Sequence, residues 1–281
     1  MDKDIREHKK FIEPDVQIDP VYLEKFKSLM KDVTIEIRYD FEKGALDILA
    51  KPKVARKLPV VIVLHDIWGL NDHVKVLTRK LARQGYCVLA IDLFRGNVTN
   101  LPHIAKEFLN RYSPEEDMDT IKYRFEKLMS KDYVDKDKVA FVGLLSGGYY
   151  ALLAASELKL AATVCFYGRF PDDLTQEQIR KIKCPVLCFM GGKGNQIYRE
   201  NMRELQKSFR RYTINAQNQV YENAKPPFFD DLHLETYHKE SADDAWLRLL
   251  AFLEERFADK VEADAQSGFL GVFKKLFDSA K

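Results

Sequence analysis

Residues 143–148 read Gly143-Leu144-Leu145-Ser146-Gly147-Gly148, between an apolar stretch and a run of small residues. This pattern predicts a strand that turns sharply into a helix and lifts one side chain above the edge of a sheet. The turn needs glycine two residues before and two residues after the lifted residue, because a Cβ atom there would clash. Gly143 and Gly147 meet this need only if the lifted residue is Leu145, which we expect to be buried at the strand end.

Strand and helix patterns alternate on both sides of this turn. Strands are predicted at 34–39, 45–50, 59–64, 86–91, 138–145, 161–167, 184–190 and 219–222. Helices are predicted at 71–84, twice within 101–131, and at 146–157, 174–182, 196–211 and 240–257. This alternation predicts an α/β fold with a mostly parallel central sheet and helices on both faces.

Composition restricts the class of protein. The chain has 281 residues, of which 46% are hydrophobic, enough for one large core. Its net charge is only +2, so it lacks the positive excess of a dedicated nucleic-acid-binding protein. The charged fraction of 31% is typical of thermostable proteins with many ion pairs. Neither a signal peptide nor a membrane span is predicted, so we expect a cytoplasmic protein.

Four cysteines lie in apolar strand-like runs, at Cys87, Cys165, Cys184 and Cys188. This placement predicts buried, reduced and unreactive thiols rather than a disulfide framework. Three regions follow from the patterning. Residues 1–32 form a charged extension with one short helix at 21–30, residues 33–258 form the α/β domain, and residues 259–281 form an amphipathic C-terminal extension.

The stretch His65-Asp66-Ile67-Trp68-Gly69-Leu70 resembles the dienelactone hydrolase family, in which this strand end usually reads His-Glu-Ile-Trp-Gly-Leu. Segments 86–94, 143–148, 220–231 and 245–246 resemble the same family in the same order, so that the resemblance covers about residues 33–258. It implies an α/β-hydrolase fold. It also implies hydrolysis of esters or lactones by a cysteine or serine at the elbow, an aspartate after a later strand and a histidine after the last strand.

Each position of that triad departs from the family pattern. The nucleophile position holds Leu145, the acid position holds Gly194 and the base position holds Pro226, while Asp66 replaces the activating glutamate. A hydroxyl or thiol attacks only when a base removes its proton and a third group orients that base. The sequence therefore predicts a pseudoenzyme without catalytic residues.

An altered hydrolytic mechanism is the alternative, with Ser146 as nucleophile or a displaced His233 as base. Ser146 is disfavoured as the lifted residue because Leu144 would then stand where glycine is needed. The segment that contains Asp230, Asp231, His233 and His238 has no specific ligand spacing and is interpreted as a solvated loop, so we expect no metal and no cofactor. His65 is interpreted as a structural residue bonded to backbone.

The replacements at the triad positions do not remove the backbone N–H donors of the implied site. The N–H groups of Ile67 and Ser146 would form an oxyanion hole at a helix N-terminus, beside Asp66. Together they predict a pocket for a small anionic ligand.

Two surfaces are candidates for binding a macromolecule. The C-terminal segment carries large apolar side chains at helical spacing, namely Phe269, Val272, Phe273, Leu276 and Phe277. The predicted helix 196–211 carries a basic stripe of Arg199, Arg203, Lys207 and Arg211, with Met202, Leu205 and Phe209 towards the core. The prediction is a scaffold or binding protein whose partner is another protein or a second copy of the chain. RNA at the basic stripe, an ordinary solvated face there, and docking of the C-terminal segment on its own core remain alternatives.

Overall fold

The computed structural model of the chain describes residues 35–42, 45–110, 113–167, 174–194 and 196–258. The predicted helix at 21–30, both predicted extensions and the apolar segment of Phe269, Val272, Phe273, Leu276 and Phe277 lie outside these residues.

Eight described strands follow the predicted pattern. They are β1 (Ile35–Glu42), β2 (Ala45–Pro52), β3 (Leu58–Leu64), β4 (Cys87–Ile91), β5 (Val134–Leu144), β6 (Ala162–Phe166), β7 (Val186–Gly191) and β8 (Ala216–Tyr221). The described helices are α1 (Asp72–Arg83), α2 (Pro102–Asn110), α3 (Pro114–Met129), α4 (Ser146–Glu157), α5 (Gln176–Lys181), α6 (Gln196–Arg211) and α7 (Lys239–Phe257).

The strands form one sheet in the order β1-β2-β4-β3-β5-β6-β7-β8. The pairs β1–β2 and β2–β4 are antiparallel, and the remaining described pairs are parallel. β3 and β5 lie at the centre, where Leu64 stands opposite Gly143. Because parallel strands end at the same edge, the loops after β3, β5, β6 and β7 meet at one edge of the sheet, where ligand sites of such folds lie.

Apolar side chains cover both faces of the sheet. One cluster joins the sheet to α3, α4, α5 and α6, and includes the predicted core residues Met202, Leu205 and Phe209 of α6. The other cluster joins it to α1 and α7, and includes Val74, Leu77 and Leu81 of α1. The prediction of an α/β fold with helices on both faces is confirmed.

Helix α1 begins close to the end of β3 and carries a histidine in its first turn. Asn71 precedes the helix, and its Oδ1 accepts a hydrogen bond from Val74 N–H at 3.1 Å. This cap satisfies one of the N–H groups that have no partner within the helix. It holds His73 on the side of α1 that is buried.

All four cysteines are free and buried, as predicted. Burial raises the pKa of the Cys87 thiol to about 12 and also raises that of Cys184. Such thiols stay protonated and unreactive. Within the described helices, none has both the length and the apolar character that crossing a membrane requires.

Candidate functional site

The turn between β5 and α4 is a strand-to-helix elbow with Leu145 at its apex. Leu145 has φ 48° and ψ −107°, a backbone conformation that leucine rarely adopts. Its N–H donates to the carbonyl of Phe166 at 2.8 Å, and its own carbonyl accepts from Gly148 N–H at 3.0 Å. The lifted side chain is therefore that of Leu145, as the glycine spacing predicts.

Close packing of the backbone determines which residue lies at the apex of the elbow. A Cβ atom on Gly143 would lie 2.0 Å from the carbonyl oxygen of Gly147, and a Cβ atom on Gly147 would lie 2.2 Å from that of Leu64. Neither position accepts a larger residue, so the apex cannot move by one residue to Ser146. The prediction that Leu145 is buried is wrong: the side chain is only partly buried, because the elbow lifts it off the sheet while one side packs on the α1–α7 apolar cluster.

The acid position, Gly194, follows β7 and faces an aromatic ring. A Cβ atom on Gly194 would lie 2.2 Å from Cδ1 of Tyr198 in α6. The carbonyl of Gly194 accepts a hydrogen bond from Arg199 at 2.8 Å. The tyrosine ring thus takes up the space beside a residue that has no side chain.

The base position, Pro226, lies in the loop after β8. It packs on the end of β7, since a Cβ atom on Gly191 would lie 2.8 Å from the Pro226 nitrogen. Phe228 and Phe229 follow it and are buried. The N–H of Phe229 donates to the hydroxyl of Tyr167 at 2.5 Å, which joins this loop to the end of β6.

Ser146 is the first residue of α4, and its Oγ is buried without a hydrogen-bond partner among the described residues. No described histidine therefore lies within hydrogen-bond reach of this hydroxyl. A serine becomes a nucleophile when a base is hydrogen-bonded to it. The N–H of Ser146 is among the first four of the helix, which lack intrahelical acceptors.

His65 and Asp66 follow β3 and are both buried. Nδ1 of His65 donates to the Asp66 carbonyl at 2.7 Å, and Nε2 accepts from Leu93 N–H at 3.0 Å. Burial lowers the pKa of His65, so the ring is neutral and structural, as predicted. Oδ1 of Asp66 accepts from Trp68 N–H at 2.9 Å, and Ile67 lies between these two residues.

Four side chains after β3 and β8 form what we call the Asp230 cluster: His73, Asp230, Asp231 and His233. Nδ1 of His73 lies 3.1 Å from Oδ1 of Asp231 and 3.6 Å from Oδ1 of Asp230. Nε2 of His233 lies 3.7 Å from Oδ2 of Asp230. The ring of His233 stacks on Trp68, with 4.6 Å between ring centroids.

Asp230 is only 3% exposed, so the interpretation of this whole segment as a solvated loop is wrong. The loop folds inwards because Phe228 and Phe229 are buried, and they carry Asp230 with them. His238 belongs to the helix instead: its Nδ1 accepts hydrogen bonds from Ser241 at the start of α7. His73 was not singled out from the sequence, although its place in the first turn after the β3 loop was a usable signal.

Negative charge concentrates at this edge of the sheet. Burial raises the pKa of Asp66 to about 7; the hydrogen bond from Trp68 opposes this rise, and the charge of Asp230 adds to it. The hydrogen bond from His73 lowers the pKa of Asp231, which therefore stays ionised. The site combines a buried acid that titrates near neutrality with a histidine–carboxylate pair.

A surface pocket of about 80 Å³ opens beside the cluster. His73 and Asp231 form part of its wall, together with Lys80, Phe229 and Trp246. The ammonium of Lys80 lies 5.9 Å from the centre of a Trp246 ring. The pocket connects the edge of the Asp230 cluster to solvent.

The basic stripe of α6 lies on the surface, with Arg199, Arg203, Lys207 and Arg211 exposed. Lys207 forms an ion pair with Glu204 at 2.6 Å. This geometry accords with the predicted orientation of the helix and leaves the nature of a partner as a prediction.

Comparisons with known proteins agree with the fold. A family model for the dienelactone hydrolase family matches residues 47–257. A Saccharolobus solfataricus protein named "Putative carboxymethylenebutenolidase" is 32% identical over 258 residues, which cover 78% of this chain and 97% of that protein. A Yersinia pestis protein of the same name is 30% identical and covers 68% of this chain and 76% of its own length.

Among solved structures, a dienelactone hydrolase-like promiscuous phosphotriesterase from metagenomic libraries superimposes with a TM-score of 0.72. The match covers 80% of this chain and 99% of that one at 24% identity, which shows the shared α/β-hydrolase fold. The family model, the identity to relatives and the elbow after β5 lead to one assignment. The chain belongs to the dienelactone hydrolase family.

Proposed function

We propose that this chain is a non-catalytic member of its family, which binds a partner and does not hydrolyse esters or lactones. The observation that carries the proposal is the position of Leu145 at the apex of the elbow. Covalent ester hydrolysis needs a nucleophilic atom at this point, next to the N–H donors that stabilise the oxyanion. A leucine side chain offers none.

The neighbouring positions support the same proposal. Gly194 and Pro226 carry neither a carboxylate nor an imidazole, and the ring of Tyr198 lies against Gly194. Removing one member of a triad already costs several orders of magnitude in rate, and here all three members are replaced.

An altered hydrolytic mechanism remains the second candidate, and one observation favours it. His73 is oriented by Asp231 through Nδ1, an arrangement that resembles the base and acid of a triad. This pair is a better base than the displaced His233, which lies 3.6–3.7 Å from its carboxylate neighbours. Against it, Ser146 Oγ has no hydrogen-bond partner among the described residues.

A small anionic ligand is the less favoured partner. Asp66 and Asp230 would face such a ligand with negative charge when both are ionised, and burial strengthens this repulsion. We therefore propose a protein partner or self-association. The proposed contact surfaces are the apolar C-terminal segment of Phe269, Val272, Phe273, Leu276 and Phe277, and the exposed basic stripe of Arg199, Arg203, Lys207 and Arg211 on α6.

Hydrolysis of p-nitrophenyl acetate and of dienelactone tests the proposal, with an active esterase as the positive control. We expect rates equal to those of buffer. Turnover that Ser146→Ala or His73→Gln abolishes, while the exposed-histidine control His103→Gln retains it, would establish the altered mechanism instead.

Deletion of residues 264–281 tests the binding surface. We expect the shortened chain to keep the far-ultraviolet circular dichroism and melting temperature of the full chain but to lose self-association or partner capture in sedimentation and affinity experiments. A large drop in melting temperature without loss of association would mean that the segment only completes its own core.

A further inference from the structure

We propose that His73, Asp230 and Asp231 bind one divalent transition-metal ion, for which Zn²⁺ is the best match. This inference concerns a site beyond the proposed function and does not depend on the absence of catalysis.

The spacing of the three side chains suits a shared ion. One nitrogen of His73 and one carboxylate oxygen each of Asp230 and Asp231 lie within 4.8 Å of one another. Zn²⁺ binds nitrogen and oxygen at about 2.0–2.2 Å in tetrahedral geometry, which separates its ligands by about 3.4 Å. The distances from Nδ1 of His73 to Asp231 and Asp230, 3.1 and 3.6 Å, lie on either side of that value.

Unpartnered polar atoms provide an independent observation. His73 is 8% exposed and Asp230 is 3% exposed. Oδ1 of Asp230 accepts a hydrogen bond from Leu232 N–H at 2.9 Å, whereas its Oδ2 and Nε2 of His73 are buried and have no hydrogen-bond partner among the described residues. A buried carboxylate with one oxygen unpartnered is unfavourable, and a cation bound to Asp230 would compensate its charge.

Among the described residues, no lysine or arginine forms an ion pair with Asp230. Over the part of the chain that the structure describes, its ion-pair contacts are with His73 and His233, at 3.6 and 3.7 Å. Both distances exceed the range of a hydrogen bond. The negative charge of nearby Asp66, when ionised, increases the demand for a cation.

The chemical nature of the three ligand side chains determines which class of ion they prefer. An imidazole nitrogen with two carboxylates suits Zn²⁺ or Mn²⁺, whereas Mg²⁺ and Ca²⁺ prefer oxygen ligands throughout. His233 lies beside the other oxygen of Asp230 and would orient that carboxylate, which is the usual place of a supporting residue around a metal ligand.

An ion can reach the cluster from solvent through the pocket lined by His73 and Asp231. Lys80 stands on the same pocket wall, and its charge acts on Asp231. Lys80 therefore competes with a metal ion for the exposed ligand Asp231.

Isothermal titration of the chelator-treated full chain with Zn²⁺ tests the proposal, with Mg²⁺ in a parallel titration and Co²⁺ as a spectroscopic probe. We expect one Zn²⁺ per chain with micromolar or tighter affinity, no Mg²⁺ heat, and visible absorption of Co²⁺ that Zn²⁺ displaces. Zn²⁺ at a hundredfold excess over its dissociation constant should raise the melting temperature by roughly 5 °C.

Substitutions of the proposed ligands test whether the ion binds at these residues. His73→Gln and Asp231→Asn should each weaken Zn²⁺ binding by about tenfold or more. His103→Gln and Asp132→Asn, which change an exposed histidine and an exposed aspartate elsewhere, should leave it unchanged. Asp231 is the ligand whose replacement should disturb the fold least, because its side chain is 57% exposed.

Two results would overturn the proposal. One is no saturable Zn²⁺ heat and no Co²⁺ spectrum. The other is Zn²⁺ binding that His73→Gln and Asp231→Asn leave intact, which would place the ion elsewhere on the chain.

Discussion

The ring of Tyr198 stands where a side chain at position 194 would have to begin, since a Cβ atom on Gly194 would lie 2.2 Å from Cδ1 of the tyrosine. The glycine at position 194 and the position of the Tyr198 ring therefore depend on each other. Restoring a carboxylate requires the ring to move.

Gly194→Asp should therefore destabilise the fold, by about 1–3 kcal/mol for an overpacked site. Urea unfolding measures the loss. Lys193→Asp adds the same side chain at the exposed preceding residue and should cost much less. In the background of Tyr198→Ala, the cost of Gly194→Asp should shrink. An equal cost with and without the tyrosine would show that the ring is not the obstacle.

Leu145→Ser should not create an esterase. The new hydroxyl would stand at the apex of the elbow, but the base and acid positions would still hold Pro226 and Gly194, and a lone hydroxyl is a poor nucleophile near neutral pH. Release of p-nitrophenol from p-nitrophenyl acetate measures this, with the unaltered chain as baseline. Activity well above that baseline would reveal a base already in position, with His73 the first candidate.

Asp47→Asn should cost about 3–5 kcal/mol of unfolding free energy, because it removes the negative charge that lies beside the buried Arg124 guanidinium. Nε of Arg124 lies 2.6 Å from Oδ2 of Asp47, with both side chains almost fully buried. Oδ1 of Asp47 also accepts from Asp92 N–H at 3.0 Å. The ion pair of Arg124 and Asp47 thus connects α3 to β2, and the hydrogen bond to Asp47 connects β2 to the loop after β4.

The exposed pair of Asp137 and Lys159 provides the control. Asp137→Asn should leave the denaturant midpoint almost unchanged, since water screens an exposed ion pair. If Asp47→Asn shifted the midpoint no more than this control, the buried pair would contribute nothing to the stability of the sheet.

Ionisation of Asp117 should lower the free energy of unfolding as the pH rises from about 4 to about 6. Burial raises its pKa from 3.8 to about 6, although the hydrogen bond from the Tyr150 hydroxyl opposes the rise. The folded state then binds this proton more tightly than the unfolded state does, so deprotonation across the window disfavours folding.

Asp117→Asn removes that dependence, while its amide oxygen can still accept from Tyr150. The stability of the variant relative to the unaltered chain should increase from pH 4 to pH 6.5, as measured by melting temperature. Asp119→Asn, on the exposed side of the same helix, should follow the unaltered chain. Parallel curves for Asp117→Asn and the unaltered chain would contradict the raised pKa.

The architecture and the elbow could both be predicted from the linear order of residues. Apolar runs such as 59–64 predict buried parallel strands because side chains covered on both faces must all be apolar. The glycine pattern around Leu145 identifies the apex because the sharp turn from strand to helix needs glycine on both sides. The contact that excludes a Cβ atom at Gly143 is made with Gly147 in the same turn, a local effect that the order of residues records, whereas the contact that excludes one at Gly147 is made with Leu64 of β3.

Only the tertiary structure decided which residues meet in the site. His73 and Asp231 are 158 positions apart and meet because α1 and the loop after β8 pack at one edge of the sheet. The burial of Asp230 follows from the inward turn of its loop, although its sequence neighbours Asp231 and Leu232 are exposed. Such contacts depend on how distant segments pack, and neither periodicity nor spacing encodes them.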